Sequence, residues 1–136
     1  MGTEGGKPGD TPQGGQEKPK FDLEERTAVF GENVIELLKG VPETAMTKKI
    51  IEQLVGCSGS VGANYCEADD AVTRRDFRHK IGICRKESKE SKLWLRLLAK
   101  AHPPSRDPAR VLWREAKELN LIFSEIWRQC EPDGEA

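Results

Sequence analysis

The chain has 136 residues, and its 22 basic and 23 acidic residues give a formal net charge of −1 at pH 7. A chain of this length is expected to form one domain. No stretch approaches the roughly 20 apolar residues of a membrane-spanning helix, and the start lacks the apolar segment of a signal peptide. We therefore expect neither a membrane protein nor an exported one, and the cytoplasm is the expected location.

The first 20 residues differ in composition from the rest of the chain. They are rich in glycine, proline and charged residues and contain no apolar run, so burial cannot compensate for the entropy lost on ordering them. We predict a disordered tail over residues 1–20 and a folded domain over residues 21–131.

Apolar residues recur at helical spacing in the first two segments of the domain. Asp22, with Glu25 three residues later, is a capping signature, and Gly40 and Pro42 end the predicted first helix. Thr44 is the predicted cap of the second helix. The apolar positions of the two helices are Leu23, Phe30, Val34, Leu37 and Leu38, then Ile50, Ile51, Leu54 and Val61.

Two further helices follow. Thr73 with Asp76 predicts a capped start for the third, which runs to about Ala101 before a pair of prolines. Asp107 followed by Pro108 predicts the cap and first residue of the fourth. The apolar seam of the fourth helix is Leu112, Ala116, Leu119, Phe123, Ile126 and Cys130. No strand pattern competes, so the predicted fold is all-α, an antiparallel up-down four-helix bundle.

Three glycines, Gly56, Gly59 and Gly62, lie within the predicted second helix. The stretch lacks the lysine and the preceding strand of a phosphate-binding P-loop. Each glycine costs a helix about 1 kcal/mol relative to alanine, so three on one side indicate a compensating gain, and we expect the close approach of a neighbouring helix. A functional break in the helix is the alternative.

The four cysteines, Cys57, Cys66, Cys84 and Cys130, are widely spaced and form no C-x-x-C pair. Because metal sites and disulfide frameworks show closer patterns, we expect reduced thiols that mostly pack as small apolar residues. A redox or metal-binding role is the alternative.

The titratable residues do not form a catalytic pattern. Neither histidine follows a glutamate at the spacing of a di-iron bundle, and no nucleophile stands with a base. Glu87 lies between two apolar faces of the third helix, and we predict that it joins Asn64 and Glu67 in a structural polar network that fixes helix register. A catalytic carboxylate is the alternative. We expect no enzyme, no metal site and no cofactor.

Charge is distributed unevenly along the chain. Residues 21–72 include 4 basic and 10 acidic residues, whereas residues 73–102 include 10 basic and 3 acidic residues. At about 100° per residue, seven cations of the third helix fall near one line. We call them the basic stripe, and they are Arg74, Arg78, Arg85, Lys89, Lys92, Arg96 and Lys100.

The basic stripe spans about 40 Å at a rise of about 1.5 Å per residue, long enough to follow several phosphates and release their counterions. We therefore predict binding to the backbone of RNA or DNA. Few aromatic residues interleave with the stripe in the sequence, so base stacking is not expected. The alternatives are a solvated face whose cations pair with nearby acids, including those of the first helix, or a docking face for another protein.

The third helix has two apolar faces. The first consists of Phe77, Ile81, Cys84 and Leu95. The other, which we call the second seam, consists of Ile83, Trp94 and Leu97. One bundle core needs only one face, so the second seam predicts contact with another subunit, and Trp113 and Trp127 of the fourth helix are further candidates for such contact. A single broad core-facing side is the alternative.

Residues 62–98, GANYCEADDAVTRRDFRHKIGICRKESKESKLWLRLL, resemble the four-helix-bundle proteins encoded in 23S rRNA intervening sequences. In that family a small residue, Asn, two residues and Glu end the second helix, a pattern that Asn64 and Glu67 match. The aromatic, glutamate-rich and apolar positions of its third helix are matched by Phe77, Glu87, Glu90, Trp94 and Leu95. The resemblance covers about residues 21–130.

This resemblance implies a four-helix bundle that assembles as a homopentamer. The related accessory variability determinant of diversity-generating retroelements binds a reverse transcriptase and nucleic acid. The expected function is thus that of a non-enzymatic oligomeric bundle associated with RNA or DNA. The alternative is an oligomeric scaffold that docks another protein, such as a reverse transcriptase.

Overall fold

The computed structural model describes residues 22–131, which form four α-helices and no strand. The helices are α1 (Leu23–Lys39), α2 (Thr47–Asp69), α3 (Arg74–Ala101) and α4 (Arg106–Gln129), with a 3-10 turn at Pro103–Ser105 between α3 and α4. The predicted all-α four-helix fold is confirmed. The predicted tail, residues 1–20, lies outside the described residues.

Side-chain caps set the starts of α1 and α3, and a threonine side chain acts one turn ahead of α2. Oδ1 of Asp22 accepts a hydrogen bond from the backbone N–H of Glu25 at 3.2 Å, and Oγ1 of Thr73 accepts one from Asp76 at 3.0 Å. Thr44 acts three residues before α2, where its hydroxyl accepts from the N–H of Thr47 at 3.1 Å. These bonds satisfy N–H groups that have no partner inside the helix.

The start of α4 differs from the prediction. Helix α4 begins at Arg106 without a side-chain cap, and Asp107 lies inside its first turn rather than before it. The prediction of Asp107 as the cap is wrong because the 3-10 turn already bends the chain at Pro103–Ser105 and leads directly into the helix.

The helices pack in sequence order around the bundle: α1 contacts α2, α2 contacts α3 and α3 contacts α4, while a thinner contact between α4 and α1 completes the ring. Adjacent helices run antiparallel because the connections are short. The acidic α1 and the basic α3 consequently occupy diagonal positions.

The core contains the apolar residues that recur at helical spacing. Its largest fully buried side chains include Phe30 of α1, Leu54 of α2, Ile81 of α3, and Leu119 and Phe123 of α4. Burying each such side chain contributes about 1.5–3 kcal/mol relative to leaving it exposed. The core therefore follows the predicted seams.

Small polar groups set the contact between α2 and α3. The hydroxyl of Ser91 donates to the carbonyl oxygen of Glu87 at 2.9 Å and lies 3.3 Å from Sγ of Cys57. Sγ of Cys84 lies 3.5 Å from the carbonyl oxygen of Val61. Desolvation raises the pKa of the Cys84 thiol to about 12, so this cysteine stays protonated and unreactive at neutral pH.

All four cysteines are free thiols. Cys57 and Cys84 are buried, Cys130 is half-buried and Cys66 is exposed. The prediction of unbridged thiols is confirmed, whereas the prediction of packing inside the protein holds for only two of the four.

The three glycines of α2 do not share one environment. Helix α2 is continuous through all of them, so the predicted unbroken helix is confirmed. A Cβ on Gly62 would lie 3.4 Å from Oγ1 of Thr27, whereas a Cβ on Gly56 or Gly59 would meet nothing within 4 Å. Close approach of a neighbouring helix is therefore correct for Gly62 alone and wrong for the other two, where an added Cβ would enter open space.

None of the helices within residues 22–131 combines the length and the apolar character needed to cross a bilayer.

Candidate nucleic-acid interface

The basic stripe lies along one flank of α3, next to α4. Arg78 and Lys92 are half-buried because each lies beside a tryptophan of α4. The other members of the stripe are exposed to solvent, and they are Arg74, Arg85, Lys89, Arg96 and Lys100. The helical spacing thus places all seven cations on one side of the bundle.

Almost no member of the basic stripe forms an ion pair with an acidic residue of the described range. Within residues 22–131, Arg78 is the only stripe member in an ion pair, with Glu131 at 3.1 Å. The acids of α1 lie across the bundle diagonal, out of reach. The interpretation in which the first helix neutralises the stripe is wrong, and six of the seven cations have no acidic partner among the described residues.

Trp127 of α4 holds the first half of the stripe. The guanidinium of Arg78 lies 3.6 Å from the centroid of the indole, and that of Arg85 lies 4.7 Å away. Nε of Arg78 also donates to the carbonyl oxygen of Trp127 at 3.1 Å. Gly82 makes room for the ring, since a Cβ there would lie 3.1 Å from Nε1 of Trp127.

Trp113 occupies the corresponding place in the second half of the stripe. Nζ of Lys92 and Nζ of Lys117 lie 5.4 and 5.7 Å from its centroid, within the range of cation–π attraction. Both tryptophans pack against α3 of their own chain. Few aromatic residues stand beside the stripe within α3 itself, and α4 supplies them.

A seven-residue spacing in the sequence of α4 is the feature from which this arrangement could have been predicted. Trp113, Asn120 and Trp127 stand seven residues apart, about two helical turns, and so share one flank. Nδ2 of Asn120 donates to the carbonyl oxygen of Arg85 at 2.7 Å, which fixes that flank against α3.

Helix α4 also adds cations that the sequence analysis missed. Arg106, Arg110 and Arg114 recur every four residues on its exposed side. Summing charge over the whole segment hid them because the acidic residues of α4 offset them in the count. Glu115, for example, turns toward α1 and pairs with Arg26 at 2.7 Å. The basic surface is therefore formed by two helices.

The predicted polar network of Asn64, Glu67 and Glu87 does not form. Nδ2 of Asn64 donates to the carbonyl oxygen and the hydroxyl of Ser60 on its own helix, each at 2.9 Å. The carboxylate of Glu67 pairs with Lys80 at 2.6 Å. Each finds a nearer partner than Glu87, which lies two helical turns beyond Lys80 along α3.

Glu87 itself is half-buried, and its carboxylate has no ion pair with any residue of the described range 22–131. Desolvation raises its pKa above the ordinary glutamate value, and the nearby Glu90 raises it further. An unpaired carboxylate in this position costs stability rather than fixing register.

The part of the chain that the structure describes contains no group of three His, Cys, Asp or Glu side chains arranged to hold a metal ion. The residues that meet on the α3–α4 face are arginines, lysines and tryptophans, which bind anions and aromatic rings.

Comparisons with known proteins agree with this fold. The family model described as 23S rRNA-intervening sequence protein matches residues 20–125. The crystal structure of a protein of unknown function from the S23 ribosomal protein family, from Bacteroides thetaiotaomicron, is similar at a TM-score of 0.66 and 27% identity. The similarity covers 77% of this chain and 97% of that one. No curated protein matches the chain.

Proposed function

This chain belongs to the 23S rRNA-intervening sequence protein family, and we propose that it is a non-enzymatic, oligomeric bundle that binds the phosphate backbone of RNA or DNA through the basic stripe. The match confirms the resemblance found in residues 62–98, and the bundle fold confirms what that resemblance implied about architecture. The binding activity and the assembly are the proposal.

One observation carries the proposal: six of the seven stripe cations have no ion pair within residues 22–131, although the chain holds more acidic than basic residues. Like charges on one helix face repel one another, and pairs four residues apart destabilise a helix. A solvated surface gains nothing from this segregation. A polyanion would turn the repulsion into attraction by releasing its condensed counterions.

The expected recognition is of the backbone rather than of base sequence. The stripe is a row of mostly exposed cations along one helix, and phosphate contacts of this kind position a protein on nucleic acid without reading sequence. Affinity should fall steeply with salt, with a slope that reports the number of phosphates neutralised.

A charge-reversal experiment tests the proposal. Arg74, Lys89 and Lys100 are exposed and make no ion pair with any described residue, so changing all three to Glu should abolish binding to mixed-sequence RNA and DNA at low salt. The matched control changes Lys39 of α1 and Lys48 and Lys49 of α2 to Glu. It changes the net charge by the same amount as the stripe variant, but on other helices. Fluorescence anisotropy measures binding, and circular dichroism checks that both variants stay helical.

Two results would contradict the proposal. One is a wild-type protein that binds no nucleic acid at low salt, in which case the stripe is better explained as a docking face for an acidic protein such as part of a reverse transcriptase. The other is equal loss of binding in the control variant, which would indicate a general charge effect without a binding face.

Exposed apolar residues of α3 support the oligomeric part of the proposal. Leu97 of the second seam is 39% exposed, the neighbouring Leu93 is 50% exposed, and Ile83 and Trp94 are half-buried. Apolar side chains grouped on one exposed flank are typical of a subunit contact.

Light scattering tests the assembly. We expect the wild type to behave as a pentamer of 15.2 kDa subunits, and Leu93→Lys with Leu97→Lys to give smaller species. Because both changes add charge without altering the core, the helical signal should persist. A wild-type monomer at micromolar concentration would rule the assembly out.

A further inference from the structure

A pocket of about 420 Å³ lies between the end of α3 and the beginning of α4. Four arginines surround it, Arg96 from α3 and Arg106, Arg110 and Arg114 from α4, and the indole of Trp113 completes the wall. Small or apolar side chains form the remainder. We call this site the arginine pocket.

The antiparallel packing of α3 and α4 brings these residues together. Lys92 lies beside Trp113, so Arg96, one turn further along α3, faces the earlier turns of α4. Arg106 and Arg110 stand four residues apart and point to the same side. The pocket is thus continuous with the end of the basic stripe, where Lys100 follows Arg96.

The positive charge of the pocket is not compensated within the described chain. No carboxylate of residues 22–131 lines it, and the contact of Arg106 with Asp107 is 3.5 Å long between side chains that are 65% and 79% exposed, which makes it weak. The beginning of a helix carries positive partial charge, so cations in the first turns of α4 are disfavoured. Arg106 lies in the first turn of α4, and the four guanidinium groups repel one another, so the cluster costs stability, as expected at a site that binds an anion.

We propose that the arginine pocket holds one unpaired nucleotide of a single-stranded nucleic acid, with its phosphate on Arg106 and Arg110 and its base against Trp113. This inference rests on the proposed function and deepens it. Guanidinium groups match phosphate oxygens two at a time, and tryptophan provides a surface on which any base can stack. The volume is that of a small-molecule site.

The pocket also sets a preference for strand type. In a duplex the bases are stacked and paired, so none can reach the indole without being extruded at a cost. The basic stripe can follow either a single strand or a duplex. The arginine pocket therefore gives single strands, loops and ends an advantage that the stripe alone does not.

Anisotropy with a fluorescein-labelled 12-nucleotide RNA of mixed sequence, alone and annealed to its complement, tests the inference. Trp113→Leu should weaken binding of the single strand by roughly 5- to 150-fold and change duplex binding by less than about twofold. Leu121→Ala, which removes an exposed apolar side chain of α4 that does not line the pocket, is the control and should leave both affinities near wild type. Arg110→Gln changes an exposed side chain, so it should fold normally and reduce the salt slope for the single strand by about one.

The outcomes separate this inference from the proposed function. If Trp113→Leu and Arg110→Gln both bind the single strand like wild type, while the Arg74, Lys89 and Lys100 reversal abolishes binding, the pocket assignment is overturned and the proposed function stands. If the wild type binds neither these RNAs nor the corresponding DNAs at low salt, both are overturned. Binding of free UMP or AMP as tight as that of the 12-mer would overturn the strand assignment in favour of a free-nucleotide site.

Discussion

The guanidinium of Arg78 stacks on the indole of Trp127, 3.6 Å from its centroid, and the same side chain donates to the Trp127 carbonyl oxygen. With only 19% of its side chain exposed, Arg78 has a packing role within the protein. Lys89, by contrast, is exposed and makes no ion pair within residues 22–131. Membership of the stripe therefore does not imply one role for all seven cations.

Replacing Arg78 and Lys89 in turn should distinguish a cation that packs against the protein from one that is exposed. We expect Arg78→Ala to lower the free energy of unfolding by about 1–3 kcal/mol, because it removes a charged hydrogen bond and a cation–π contact. Lys89→Ala should change it by less than about 0.5 kcal/mol. Urea denaturation followed by circular dichroism measures both, and equal stability of the two variants would contradict a structural role for Arg78.

The glycines give a second prediction, on the free energy of unfolding. Gly59→Ala should stabilise the protein by about 0.5–1 kcal/mol, since alanine favours a helix and the added Cβ meets nothing. Gly82→Ala gains the same propensity but forces a shift of Trp127, whose Nε1 would lie 3.1 Å from the new Cβ. We expect Gly82→Ala to be the less stable variant in thermal unfolding. A destabilised Gly59→Ala would instead mean that another subunit covers this side of α2.

The ion pair between Arg26 and Glu115 supports the thin contact of α1 with α4. Nε and Nη2 of Arg26 donate to the two carboxylate oxygens of Glu115 at 2.7 and 3.0 Å, and this hydrogen bonding raises the pKa of Arg26. Arg26→Gln should lower the free energy of unfolding by about 1–2 kcal/mol.

Lys39→Gln is the control for that variant, because Lys39 pairs with Glu36 at 3.1 Å where both side chains are about two-thirds exposed. Exposed pairs of this kind contribute about 0–1 kcal/mol, so the control should stay close to wild type. Equal losses of unfolding free energy in the two variants would show that the pair of Arg26 with Glu115 contributes no more than an exposed surface pair.

The raised pKa of Glu87 leads to a prediction about pH. A carboxyl group whose pKa is higher in the folded than in the unfolded protein favours folding when protonated, so its ionisation costs stability as pH rises through that range. Glu87→Gln should therefore raise the melting temperature at pH 7, and the advantage should vanish well below the ordinary glutamate pKa of about 4.3. A lower melting temperature at pH 7 would show that the carboxylate has a stabilising partner, as a polar network requires.

Local patterns in the sequence were sufficient for the helices and the core. Caps such as Asp22 and Thr73 act within three residues, and apolar spacing selects one side of each helix whatever its neighbours are. The start of α4 was predicted wrongly because the 3-10 turn before it depends on how the chain packs after α3. The glycines were misjudged for a related reason: spacing places them on one side of α2 but does not reveal which helix, if any, lies against that side.

The basic stripe could likewise be found from the sequence, because seven cations at helical spacing must share one flank of α3. Only the tertiary structure decided what stands beside them. It placed Trp113, Trp127 and the arginines of α4 on the same face as the stripe. It also put the acidic α1 diagonally across the bundle from α3, where its carboxylates cannot reach the stripe. Charge counted along the chain adds together residues on opposite flanks of a helix. A ligand instead meets one flank of α3 and one flank of α4 together, and which helices lie side by side is fixed by packing.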